Sequence, residues 1–190
     1  MAIHPAVERI LRAGEGRDVL QLLAQDLSPT DLQSLLLEVY RQRAEQQTPA
    51  SVLAHYERSR FARPSSVAPA ELLAIDRLAF ECADPLFEPL ELAPVCPLGT
   101  SSAVADVDQD KAVSTSRNSE VVSDSTNVLA LECALRRRAY ARSPQTRQQR
   151  VRLCASHRLL RPQLFSGPAS FAHFRLFALC TAGCSEADYG

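Results

Sequence analysis

The sequence predicts an α+β protein. A helical region runs to about residue 82, an irregular polar segment with short strands spans 83–125, and a helix plus a β-hairpin fills 126–190 as a partial antiparallel sheet. Three observations carry this reading. Apolar residues recur at helical spacing behind capping signatures as far as Cys82; prolines crowd the stretch from Pro85 to Pro97; from Arg150 the period shortens to that of strands. At 190 residues the chain suits one domain, or one domain with a helical appendage.

In the helical region, Leu11, Leu20, Leu22 and Leu23 flank a break at Gly14-Glu15-Gly16. Ser28-Pro29-Thr30-Asp31 is a helix start, with Ser28 as cap, Pro29 at the first helical position and Asp31 in the capping-box place. The helix behind it is expected to bury Leu32, Leu35, Leu36, Val39 and Tyr40 on one face. Thr48-Pro49 opens another helix through Val52, Leu53 and Tyr56. After Pro64-Ser65-Ser66, a further helix from Pro69 to about Cys82 carries Leu72, Leu73, Ile75, Leu78 and Ala79.

Pro85, Pro89, Pro94 and Pro97 then enforce an extended, irregular path. Residues 99–128 are polar, with strand-like pieces near Ala103–Val107 and Glu120–Ser123; disorder and a ligand-lining or sheet-edge segment both stay open. Thr126–Tyr140 reads as a helix capped by Ser125 or Thr126, with Val128, Leu129, Leu131 and Leu135 inward. Arg150–Pro162 reads as strand, slight bend, strand; Phe165–Ser170 as a turn; Phe171–Thr181 as a returning strand.

The charge pattern is strongly polarised. From Cys133 to Ser185 there are ten arginines and no lysine, aspartate or glutamate, whereas the first 132 residues hold 11 basic against 20 acidic residues. Arginine forks match planar, multivalent anions, and missing acids leave their field uncancelled. The window therefore points to an anionic ligand such as phosphate or RNA. The triplet Arg136, Arg137 and Arg138 at a helix end is the first candidate for a secondary phosphate or RNA contact, and it also complements the helix dipole.

Other chemistries find little footing. No Walker loop or dinucleotide G-x-G-x-x-G exists among six glycines. Cys180 and Cys184 with Cys154 and His157 match no standard zinc spacing, and the six cysteines read as reduced core thiols. No stretch reaches the length of a membrane span, and the N-terminus lacks a secretory pattern, so a cytoplasmic protein without a membrane partner is expected.

A family comes into view at the hairpin. Leu160-Arg161-Pro162-Gln163, a loop, and then His173-Phe174-Arg175-Leu176-Phe177-Ala178-Leu179-Cys180-Thr181 resemble motif 2 of the class II aminoacyl-tRNA synthetase core. The phenylalanyl type is nearest, where R-x-(D/E) is answered by H-x-x-x-F-x-Q-x-E. Thr126–Arg138 resembles the helix that precedes motif 2 in histidyl- and phenylalanyl-type enzymes. The resemblance implies an ATP·Mg site and a ligase-type, carboxylate-adenylating activity in a full-length form. In it Arg161 would contact the α-phosphate as the catalytic residue, Phe177 would stack on adenine, and His173 would cover the phosphates. Arg158 and Gln163 would complete the surroundings, and Arg175 would add positive charge as an RNA or phosphate contact. It also implies an amino acid, tRNA and a homodimeric partner.

The chain departs from the pattern at Gln163, Leu179 and Thr181, where the family carries an acid, Gln and Glu, and it stops at Gly190 before any motif 3. A truncated form of a longer protein is the expectation from that ending. The alternative from another class is a non-catalytic paralogue or fragment that binds RNA or a protein through its arginine face.

Overall fold

The computed structural model describes residues 5–13, 19–164 and 171–184. The predicted break at Gly14–Gly16, the turn at Phe165–Ser170 and the last six residues lie outside the described residues. Apart from a turn at residues 116–118, the chain divides into one compact unit up to Pro49 and a second from Ala50. That boundary falls inside the helical block read from the sequence as 1–82.

The first unit contains α1 (Pro5–Ala13), α2 (Val19–Gln21) running into a π-turn over Leu22–Asp26, and α3 (Pro29–Glu45). The α3 start is built as its residues dictate. Ser28 Oγ accepts from the Asp31 amide at 3.1 Å and donates to the Asp31 carboxylate at 2.7 Å, with Pro29 where no amide partner is needed. Its apolar face departs from expectation: no described residue of α3 is buried, and Leu35 and Tyr40 are 42% and 59% exposed. A unit of this length has too little apolar surface to close a core over that face.

The second unit carries α4 (Pro49–Arg58), α5 (Pro69–Ala83), β1 (Glu88–Pro89), β2 (Val95–Pro97), α6 (Thr100–Ala105), a 3₁₀ turn (Gln109–Lys111), β3 (Val113–Ser114), β4 (Ser119–Val121), α7 (Ser125–Tyr140), β5 (Val151–Leu160) and β6 (His173–Ala182). Helices precede and flank two small sheets, so the fold is α+β. The sheets run β1-β5-β6 and β2-β4-β3. The predicted antiparallel hairpin is β5–β6, in register from Val151↔Ala182 to Leu160↔His173. Because β1 pairs parallel to β5, that sheet is mixed. The long path from β1 through α7 supplies the crossover that parallel pairing requires.

Four local readings are corrected. On α7 Leu129 is buried as expected, but Leu131 and Leu135 are 39% and 52% exposed. The strand-like piece at Ala103–Val107 is largely helix α6. The cap of α7 is Asp124, whose Oδ1 accepts the Thr126 amide at 2.9 Å. The bend expected within 150–162 does not occur, because β5 is braced by strands on both edges and runs unbroken over Val151–Leu160.

Alternation along β5 and β6 sorts the sheet faces. Leu153, Ala155 and Ala178 pack with Leu129 and Cys133 of α7, while Leu159 packs with Cys96 and Val122; Leu129, Leu153 and Leu159 are fully buried, each contributing about 2–3 kcal/mol. The other face carries Ser156, Arg175 and Phe177 toward α5. There Asp76 accepts from Ser156 Oγ and pairs with Arg175, and Phe80 packs edge-on to Phe177. Among the described residues no helix is long and apolar enough to cross a membrane.

The second sheet is organised by a carboxylate. Glu120, on β4, is 0% exposed. One oxygen accepts from the Ser101 amide (2.8 Å) and hydroxyl (2.7 Å), the other from the Gly99 amide (2.9 Å) and Gln109 Nε2 (2.6 Å). Gly99 turns with φ +86°, a left-handed conformation that side chains disfavour, and so aims those amides inward. Burial pushes the Glu120 carboxyl up, but the bonds from Gln109, Ser101 and Gly99 outweigh it and hold it below its ordinary 4.5.

A carboxyl lowered on folding stabilises above its unfolded value, and that contribution is lost as pH falls through the folded value. Glu120→Gln, which turns an acceptor into a donor facing donors, is expected to cost about 2–3 kcal/mol at neutral pH in urea unfolding. It should also flatten the acid side of the stability profile. An unchanged profile would remove Glu120 from its structural role.

Candidate functional site

The residues of the motif 2 resemblance separate into three places. Arg161 and Gln163 leave the end of β5 and line a polar cleft of about 310 Å³ with Lys111, Ser123, Asp124 and Asn127. Arg158 and His173 meet across the hairpin in a different groove, Arg158 NH1 lying 2.9 Å from His173 Nδ1, while His173 Nε2 donates to the Arg63 carbonyl at 2.7 Å. Phe177 and Arg175 lie under α5 against Phe80 (ring centroids 5.1 Å apart) and Asp76 (3.3 Å). The hairpin does not bring the Phe177 ring to Arg161.

The cleft grows from chain geometry. Its one wall, Ala105 to Lys111, is the segment that follows α6 and is tied through Gln109 to Glu120. The facing wall is the β4–α7 corner, where Asp124 caps α7 and so leaves one carboxylate oxygen for Arg161. The Arg161 guanidinium donates to the Ser123 carbonyl at 2.8 Å and to Asp124 at 3.1 Å, and rests 5.2 Å from the Phe174 ring centroid. Its own amide donates to the Ala172 carbonyl at 2.8 Å, which fixes the strand end. A guanidinium fixed by three neighbours loses little freedom when it meets an anion.

Two groups beside it make no side-chain hydrogen bond or ion pair among the described residues through the atoms concerned. Gln163 Oε1 is buried without a hydrogen-bond partner, and Lys111 is exposed and makes no ion pair among the described residues. Among the described residues the cleft thus holds two cations against one carboxylate, with an acceptor awaiting a donor. Such a lining suits an anion that also carries an N–H or O–H.

Folding neutralises much of the arginine window from outside it. Arg136 pairs with Glu88 (2.5 Å) and Glu132 (2.8 Å), which raise its pKa and lower that of Glu88. Arg137 donates to the Gln149 and Arg147 carbonyls and stands 2.8 Å from Cys184 Sγ, stapling the loop after α7. Arg138, Arg142 and Arg147 are exposed, and their side chains make no ion pair among the described residues. Cys133 and Cys180 are 3.7 Å apart as free thiols, and burial, with Cys180 beside it, pushes Cys133 up to about 11. Among the described residues no three His, Cys, Asp or Glu side chains converge as metal ligands.

Sequence reasoning missed Glu120 and Lys111. An isolated Glu before Val121-Val122, about twenty residues after Gly99-Thr100-Ser101, was the available signal for Glu120; Lys111, the sole lysine, carried none.

Asp124 serves both as cap and as Arg161 partner, and the two roles separate by substitution. Asp124→Asn keeps the cap, while Asp124→Ala loses both; the Ala variant is expected to be about 1 kcal/mol less stable than the Asn variant in urea unfolding, and equal losses would leave the cap without weight. No protein-family model and no curated protein sequence matches this chain.

Proposed function

We propose that this chain is a nucleotide-binding domain resembling the class II synthetase core, and that ATP is held in the cleft at the mouth of the β5–β6 hairpin. The observation that carries this is the meeting of Arg161, Lys111 and the unpartnered Gln163 Oε1 in one cleft. Arg161, oriented by Ser123 and Asp124, would neutralise phosphate charge from a fixed position. Lys111 would follow the phosphates as a mobile point charge. Gln163 Oε1 would accept from the exocyclic amine of a base or from a ribose hydroxyl. Magnesium fits as the counterion of the phosphates: Asp124, the one carboxylate among the described lining residues, is already occupied by Arg161 and Thr126. Binding, not turnover, is what these residues support; carboxylate adenylation remains the activity that the resemblance implies.

A second reading has its own support. Arg138, Arg142 and Arg147 form an exposed basic run at the end of α7 and in the loop after it, suited to the phosphates of RNA. A protein that binds both ATP and tRNA would use both surfaces, whereas a non-catalytic paralogue would keep the basic run alone.

Isothermal titration with ATP·Mg separates these. Saturable binding should weaken by about tenfold or more in Arg161→Ala, the loss of a charge-assisted contact of about 1.5–3 kcal/mol, and several-fold in Lys111→Ala, where an exposed ammonium contributes about 1 kcal/mol or less. Failure of folded protein to bind ATP, or identical binding by Arg161→Ala, would overturn the nucleotide reading. For RNA, the triple change Arg138→Ala, Arg142→Ala and Arg147→Ala should reduce the slope of log affinity against log salt by about 2, and an unchanged slope would remove that surface.

A further inference from the structure

Beside the hairpin, and separate in its lining from the Arg161 cleft, a groove of about 570 Å³ runs between residues 61–65 and the ends of β5 and β6. That size is within the range of small-molecule sites, roughly 300–1,000 Å³. Its walls are apolar where Phe61, Val121 and Leu160 line it, and its charged groups are Arg63 and Arg158. No aspartate or glutamate is among the described lining residues.

At this groove lies His157, only 7% exposed, whose Nε2 has no hydrogen-bond partner. Burial lowers its pKa below the ordinary 6.5, Glu91 opposing from outside the lining and Arg175 adding to the effect, so the imidazole is neutral near physiological pH. A buried ring nitrogen without a partner is costly to leave unpaired, and a ligand that supplies the missing bond recovers that loss. Arg158 is held by His173 through one of its nitrogens and is exposed, which leaves its remaining donors for a ligand.

We propose that this groove is a second ligand site, for a small organic acid with an apolar body and no cationic group. Its carboxylate meets Arg158 and Arg63, its apolar part lies along Phe61, Val121 and Leu160, and a polar atom bonds to His157. Carboxylate selectivity follows from the two guanidiniums. Rejection of amino acids follows because the described lining offers no carboxylate to an ammonium group, while Arg63 and Arg158 repel it. The site stands independently of ATP binding at Arg161.

The test is calorimetric titration of the full chain near neutral pH with 3-phenylpropionate, with phenylalanine, and with 3-phenylpropan-1-ol, which share a phenyl body and differ in charge. Saturable binding of phenylpropionate, tighter than the other two by about tenfold or more, is expected. Arg158→Met, a change at an exposed position, should abolish most of that preference. Absence of saturation by phenylpropionate, equal binding of the three probes, or an Arg158→Met variant that binds unchanged would overturn the proposal.

Discussion

A buried carboxylate, Glu120, takes hydrogen bonds from three segments that have little apolar surface of their own: the Gly99 turn, the first turn of α6, and the 3₁₀ turn containing Gln109. Buried charge is tolerable only when its lone pairs are filled, and here four N–H or O–H donors fill them. The consequence reaches beyond β4. Gln109 fixes the turn ending at Lys111, and that turn is one wall of the Arg161 cleft. The β4–α7 corner immediately after Glu120 provides Ser123 and Asp124, the groups that orient the guanidinium. One buried acid therefore links the small sheet to the candidate phosphate site.

The arginine-rich window looks uniform as a sequence and is heterogeneous as a structure. Arg136 is consumed by acids from β1 and its own helix, Arg137 by carbonyls, Arg175 by Asp76. These pairings are tertiary, so no count of charges along the window could reveal them. Arg161 stands in the cleft, Arg158 in the groove, and Arg138, Arg142 and Arg147 at the end of α7 and in the loop after it. Each place couples its cations to different surroundings: an amide oxygen in the cleft, apolar walls in the groove, open solvent at the helix end.

Legibility followed the range of the interactions. The α3 start was readable because Ser28, Pro29 and Asp31 act within one turn, and the β5–β6 hairpin because alternation is local. The cap of α7 was misplaced by one or two residues, since Ser125, Thr126 and Asp124 are all competent and only the Arg161 partnership favours Asp124. The piece Ala103–Val107 reads as strand because Val104 and Val107 suit that state, while the Glu120 carboxylate that receives the first turn of α6 lies about twenty residues away in sequence. Arg161 and Gln163 are singled out by the motif 2 resemblance, and they do line one cleft. Their companion Lys111 is not, because nothing local ties a 3₁₀ turn to a strand fifty residues later.

Hydrogen–deuterium exchange of the intact chain with and without ATP·Mg tests most directly whether the Glu120-anchored cleft is the nucleotide site. Slowed exchange over residues 105–111 and 123–127, with no change over 136–150, is the expected result. Slowing confined to 136–150, with the cleft unaffected, would contradict it and leave the basic end of α7 as the anion-binding surface.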